Sequence, residues 1–129
     1  LMIVDLLRND LARVAETGSV RVPALFEAER YETVTQMTST VAADLRSEVG
    51  VAEAMRALFP CGSVTGAPKL RAMEIIGEVE TRPRGVYCGA IGYASPCARG
   101  LGEAAFNAAT RTALVDASGS LRYDVGRGI

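Results

Sequence analysis

The chain has 129 residues, enough for one ordinary domain with its own core. Nearly half of them, 49%, are hydrophobic, which fits a folded protein and not a disordered one. Fourteen basic and fifteen acidic residues leave a net charge of −1. That balance excludes the positive field that nucleic acid or an anionic membrane calls for, and no apolar run approaches the ~20 residues of a membrane helix. Histidine is absent, so an imidazole base, a histidine triad and a histidine metal site are all excluded from this chain. The three cysteines, Cys61, Cys88 and Cys97, cannot all pair within one chain, and none has metal-ligand spacing. A reduced, cytoplasmic compartment is the expectation.

In chain order, Leu1–Ala15 reads as an amphipathic helix with Ile3, Leu6, Leu7, Leu11 and Val14 as its apolar stripe, ended by Gly18. Arg8, Asn9 and Asp10 read as its solvated face. From Ser19 the period changes. Leu25–Tyr31 and Thr33–Val41 are rich in β-branched residues and read as strands. In the second strand Val34, Gln36, Thr38 and Thr40 share a polar face. Val51–Leu58 reads as a short helix.

The stretch Phe59–Glu80 (FPCGSVTGAPKLRAMEIIGEVE) reads as a loop that becomes a helix. Pro60, Gly62 and Gly66 break regular structure, and Pro68 suits the first helical position. Leu70, Met73, Ile76 and Val79 then recur at helical spacing. The free N–H groups of the first turn open beside two hydroxyls, Ser63 and Thr65, and beside Lys69, the only lysine of the chain. Unpaired donors and the helix dipole suit an anion, although glycine loops before helices often only reverse the chain. The glycine spacing is not that of a P-loop.

Beyond it, Thr81–Gly85 reads as a turn holding Arg82 and Arg84. Val86–Ala94 reads as a strand whose Gly89 and Gly92 allow close backbone approach, Pro96–Gly102 as a loop, and Ala105–Val115 as a further strand. Residues 112–116 and 121–125 read as a hairpin around Ser118 and Gly119. Strands run consecutively and do not alternate with helices, so the fold class expected is α+β with a mostly antiparallel sheet packed with helices.

Several of these segments together resemble the chorismate-utilising enzymes. They are Met2–Leu11 (MIVDLLRNDL), Gln36–Val41 (QMTSTV), Phe59–Ile76 (FPCGSVTGAPKLRAMEII) and Arg84–Tyr93 (RGVYCGAIGY), with Phe106–Thr112 (FNAATRT) and Gly126–Ile129 (GRGI) following in the same order. Within that family the resemblance is strongest to component I of aminodeoxychorismate synthase.

The resemblance implies a reaction that replaces the ring 4-hydroxyl of chorismate by an amino group. It implies ammonia from a glutamine amidotransferase partner and a magnesium cofactor, with the product leading to p-aminobenzoate and folate. By family position, Arg111 and Tyr87 grip the enolpyruvyl carboxylate, with Arg111 expected on a strand as a rigid support. Ser63 reaches the substrate, and the amides near Gly126 and Gly128 approach the ring carboxylate. Gln36 falls where anthranilate and salicylate relatives usually carry histidine, and is implied near the departing hydroxyl. Thr35, Thr110 and Arg127 depart from the family pattern.

The resemblance also implies that residues 1–129 are one part of a chorismate-binding catalytic domain. Its magnesium-binding glutamates and a nucleophilic lysine are expected outside this stretch, and the stretch alone is expected to be inactive. Two other readings stay open: anthranilate synthase component I, and a non-catalytic anion-binding module.

Overall fold

The computed structural model describes residues 1–97 and 100–124. The chain divides into two compact units, Leu1–Leu58 and Phe59–Ile129.

The first unit begins with helix α1, Met2–Ala12. Its buried side is not quite the stripe expected. Val4 and Val14 are buried and Ile3 is exposed. Asp10, expected on the solvated face, is only 3% exposed. Helical spacing explains this: Asp10 stands three residues after Leu7 and four before Val14, so it shares the inward face. Arg8 does stay outside, paired with Asp5 at 3.1 Å. The carbonyls just beyond α1 are satisfied from a distant residue. Arg46 donates to Arg13 O at 3.0 Å and to Ala15 O at 3.3 Å, the favourable use of a cation at a helix C-terminus.

Strands β1 (Arg21–Arg30) and β2 (Thr35–Ala42) pair antiparallel. The chain does not break at Pro23. It continues as a strand with register shifts between Arg21 and Glu27, where a bulge accommodates the missing proline N–H. Phe26, inside this irregular stretch, takes φ +56°, and its N–H donates to Ser39 Oγ at 3.0 Å. Beyond the bulge Glu29 stands opposite Gln36. Thr38 Oγ1 donates to the Glu29 carboxylate at 2.6 Å, and the Tyr31 hydroxyl donates to its other oxygen. These two donors, Thr38 first, hold the Glu29 carboxyl below the usual range. Helix α2 covers Val51–Leu58 as expected and packs against α1 with Ala57 buried.

In the second unit a short helical turn, α3 (Gly62–Thr65), occupies what reads as loop in the sequence. The Thr65 hydroxyl donates to Cys61 O at 3.1 Å and closes that turn. Gly66 follows at φ +120°, a conformation that favours glycine. Helix α4 is Lys69–Val79; Pro68 caps it in an extended conformation (ψ 135°) and is not its first residue. Of its apolar stripe Ile76 is half-buried, while Leu70 and Val79 are exposed.

Residues 85–88 form a turn, with Gly85 and Cys88 both at positive φ, so strand β3 begins at Ala90 and not at Val86. β3 (Ala90–Cys97) pairs antiparallel with β4 (Gly100–Ala108), extending through part of the expected loop. The close approach expected at Gly92 is present: a Cβ there would lie 2.0 Å from Ala105 O. The hairpin of β5 (Thr112–Val115) and β6 (Leu121–Asp124) closes through Asp116, whose carboxylate accepts from the Ser118 and Ser120 N–H groups. Every strand pair is antiparallel, as expected of this α+β chain, and the described strands form three separate two-stranded sheets.

Candidate functional site

The second unit carries a hollow of about 460 Å³ between α4 and the 84–89 turn. Phe59, Pro60, Met73 and Ile76 give it an apolar wall. Thr65, Arg84 and Tyr87 bring polar groups to it, and the buried Cys88 lies behind them. An apolar wall with a few convergent polar groups is the usual make-up of a small-molecule site.

Arg84 organises this region. Its Nε and Nη2 grip the Glu80 carboxylate at 2.7–3.0 Å. Its Nη1 donates to Val64 O at 3.2 Å, which ties the 84–89 turn to α3. Its guanidinium also lies 5.9 Å from the centre of the Tyr87 ring, within cation–π range. The Glu80 hydrogen bonds raise the Arg84 pKa further, and the same contact lowers that of Glu80. Burial, and then the Cys88 thiol, push the Tyr87 phenol up. Tyr87 is therefore protonated at neutral pH and able to donate a hydrogen bond to a carboxylate.

In the sequence Arg84 reads as part of a turn and opens the Arg84–Tyr93 segment of the family resemblance, with no role of its own. The i,i+4 spacing of Glu80 and Arg84 is the signal that points to the pair. The bond to Val64 spans twenty residues and leaves no local trace.

Of the residues expected to bind substrate, Tyr87 lines the hollow. Ser63 sits half-buried in α3, whose neighbouring Val64 is held by Arg84; Thr65, and not Ser63, lines the hollow. Arg111 is corrected in one respect: it does not lie on a strand. Strand β4 ends at Ala108, β5 begins at Thr112, and Arg111 occupies the bend between them at φ +51°. A left-handed residue cannot continue a ladder, and the turn is fastened by Thr110 N–H to Ala108 O at 3.0 Å. Arg111 is exposed and is not part of the wall of the hollow.

The two segments nevertheless meet. Cys88 N–H donates to Ala109 O at 2.7 Å and Ala109 N–H to Gly89 O at 3.0 Å. The turn bearing Tyr87 is thus stitched beside the bend bearing Arg111. Gln36 belongs to the first unit, exposed on β2 opposite Glu29. Gly126 and Gly128 lie outside the described residues. Among the described residues, no three Cys, Asp or Glu side chains gather where they could hold a metal ion.

Comparison with known proteins identifies the lineage. The family model described as chorismate binding enzyme matches residues 1–129. The chain belongs to the chorismate binding enzyme family. It is 58% identical over 97 residues to aminodeoxychorismate synthase component 1 of Klebsiella aerogenes, covering 75% of this chain and 22% of that protein. It is 51% identical over 126 residues to aminodeoxychorismate synthase of Streptomyces griseus, covering 98% of this chain and 17% of that protein. Among solved structures it resembles anthranilate synthase component I from Streptococcus pneumoniae TIGR4. That match has a TM-score of 0.73 and 46% identity, over 87% of this chain and 25% of the other. The chain therefore spans a quarter or less of the length of each of these relatives.

Proposed function

We propose that this chain supplies part of the catalytic component of an aminodeoxychorismate synthase. The observation that carries this reading is the 51% identity to the Streptomyces griseus enzyme, which runs through 98% of the chain. In the proposed reaction the C4–O bond of chorismate breaks and a C4–N bond forms. The hydroxyl leaves as water, and the enolpyruvyl group is kept. Ammonia comes from a glutamine amidotransferase partner. The ligands of a magnesium ion would lie outside this chain, and the ion would supply positive charge beside the substrate carboxylates.

The roles assigned within the chain follow from donor chemistry. The Arg111 guanidinium offers a bidentate fork to the enolpyruvyl carboxylate, and the protonated Tyr87 hydroxyl donates to the same group. Ser63 adds a hydroxyl from α3. By family position the amides near Gly126 and Gly128 are assigned to the ring carboxylate, since glycine carries no side chain to keep backbone from an anion. Gln36 hydrogen-bonds near the departing hydroxyl. The backbone at Arg111 supports its assignment. A non-glycine residue at φ +51° is a costly conformation that persists where the surroundings enforce it, and such positions cluster at ligand clamps.

No helix among the described residues is long and apolar enough to cross a membrane. The proposal carries a cytoplasmic location with it, as the cysteine content suggests.

The intact enzyme that carries this chain, given chorismate, magnesium and ammonia, tests the reading by the identity of its product. The expected product is 4-amino-4-deoxychorismate, with no pyruvate released. Anthranilate together with pyruvate would replace this reading by that of an anthranilate synthase.

A further inference from the structure

We propose that Arg84 is a positioning residue for substrate binding: its single guanidinium holds the α3 turn that carries Ser63 and the ring of Tyr87 as one unit. The proposal rests on the reading that Ser63 and Tyr87 bind the substrate, and it names what keeps them in register.

A guanidinium is flat and carries five donors in a fixed fork. In Arg84 the Nε and Nη2 edge is taken by the Glu80 carboxylate, at 3.0 and 2.7 Å. That grip fixes the plane of the group. The remaining Nη1 then points to Val64 O, 3.2 Å away, next to Ser63. The charge lies over the Tyr87 ring, 5.9 Å from its centre.

The main chain at Arg84 is held as well. Arg122 of β6 donates to Arg84 O at 3.3 Å and is itself paired with Asp124 at 2.9 Å. The Arg84 side chain is only 25% exposed, so these contacts are less screened than a surface pair. One residue thus connects α4, α3, the Tyr87 turn and β6. A substrate-binding hydrogen bond that loses its direction loses about tenfold in affinity. Lysine cannot replace this arrangement, because a single ammonium cannot span Glu80 and Val64 in fixed directions.

The test is steady-state kinetics of the intact enzyme carrying Arg84→Lys, with a thermal melt beside it. Expected are a chorismate KM raised about tenfold, a kcat within about twofold of the parent, and a melting temperature within a few degrees. Because Arg84 acts through Ser63, Arg84→Lys added to Ser63→Ala is expected to raise KM by much less than tenfold. Should Arg84→Lys be too unstable to assay, Glu80→Gln carries the test: it weakens the grip that fixes the guanidinium plane without touching Ser63 or Tyr87, and the expected outcome is again a selective rise in KM.

Loss of stability and of kcat with KM unchanged would make Arg84 a purely structural residue and overturn the proposal. So would full additivity of Arg84→Lys with Ser63→Ala. If Ser63→Ala and Tyr87→Phe themselves leave KM unchanged, it is the substrate-binding reading of those residues that falls, and this proposal with it.

Discussion

Replacing Arg111 by glycine is expected to weaken chorismate binding about a hundredfold while leaving the melting temperature of the intact enzyme almost unchanged. The two halves of this expectation have separate causes. The guanidinium is assigned a bidentate, charge-assisted hydrogen bond to a carboxylate. Removing a bond of that kind costs about 3 kcal/mol, and about 1.4 kcal/mol is a factor of ten in affinity.

Stability follows the backbone instead. Arg111 holds φ +51°, and an L-residue in the left-handed region is strained by about 1–2 kcal/mol. Glycine removes that strain but loses about 0.5–1 kcal/mol through the greater freedom of the unfolded chain. The two nearly cancel. Arg111→Ala, which keeps the strain and removes the fork, is expected to lose the same affinity. Unchanged chorismate binding in Arg111→Gly would make Arg111 an ordinary turn residue.

The largest effect on folding is expected at Gly92. A Cβ on this residue would meet Ala105 O at 2.0 Å and Phe106 Cα at 2.7 Å, both backbone atoms of the facing strand. Backbone cannot swing aside as a side-chain tip does, so β3 and β4 must separate or bend. The cost of Gly92→Ala is about 3 kcal/mol or more, at the upper end of what overpacking produces. For a small domain this is a fall in melting temperature of roughly 15 °C. Gly77, in the middle of α4, gives the opposite sign. Apart from the backbone of α4 itself, nothing lies within 4 Å of a Cβ built there. Alanine in a helix interior is favoured over glycine, so Gly77→Ala is expected to gain about 0.5–1 kcal/mol. Thermal denaturation of the two variants checks both. A Gly92→Ala protein as stable as its parent would show that the strands pair differently from the register described.

These contrasts mark where the sequence is legible. Periodicity suffices for α2, for the existence of strands β1 and β2 and for the β5–β6 hairpin, because each is defined by residues close along the chain. It also points to the close approach at Gly92. It fails where one residue's backbone is set by distant partners. Arg111 reads as strand because its neighbours have strand character; the bend follows Ala109, which is fastened to Cys88 and Gly89. Asp10 reads as solvated because it follows Arg8 and Asn9, yet its position on the helix turns it inward.

The candidate site divides in the same way. Tyr87 and the loop before α4 are recognisable from the order of their motifs. The bridging role of Arg84 is not, since its partners Val64, Glu80 and Tyr87 become one constellation only after the chain has folded.

The claim at the centre is that Tyr87 and Arg111, on segments fastened by the Cys88–Ala109 backbone bond, close on one substrate carboxylate. A double-mutant cycle measures this directly: chorismate affinity by calorimetry for the intact enzyme, Tyr87→Phe, Arg111→Gly and the double variant. Residues sharing one carboxylate are expected to be coupled by more than about 0.5 kcal/mol, so that the double variant loses less than the sum of its parts. Losses that add to within about 0.3 kcal/mol, or single variants that bind as the parent does, would contradict the shared grip.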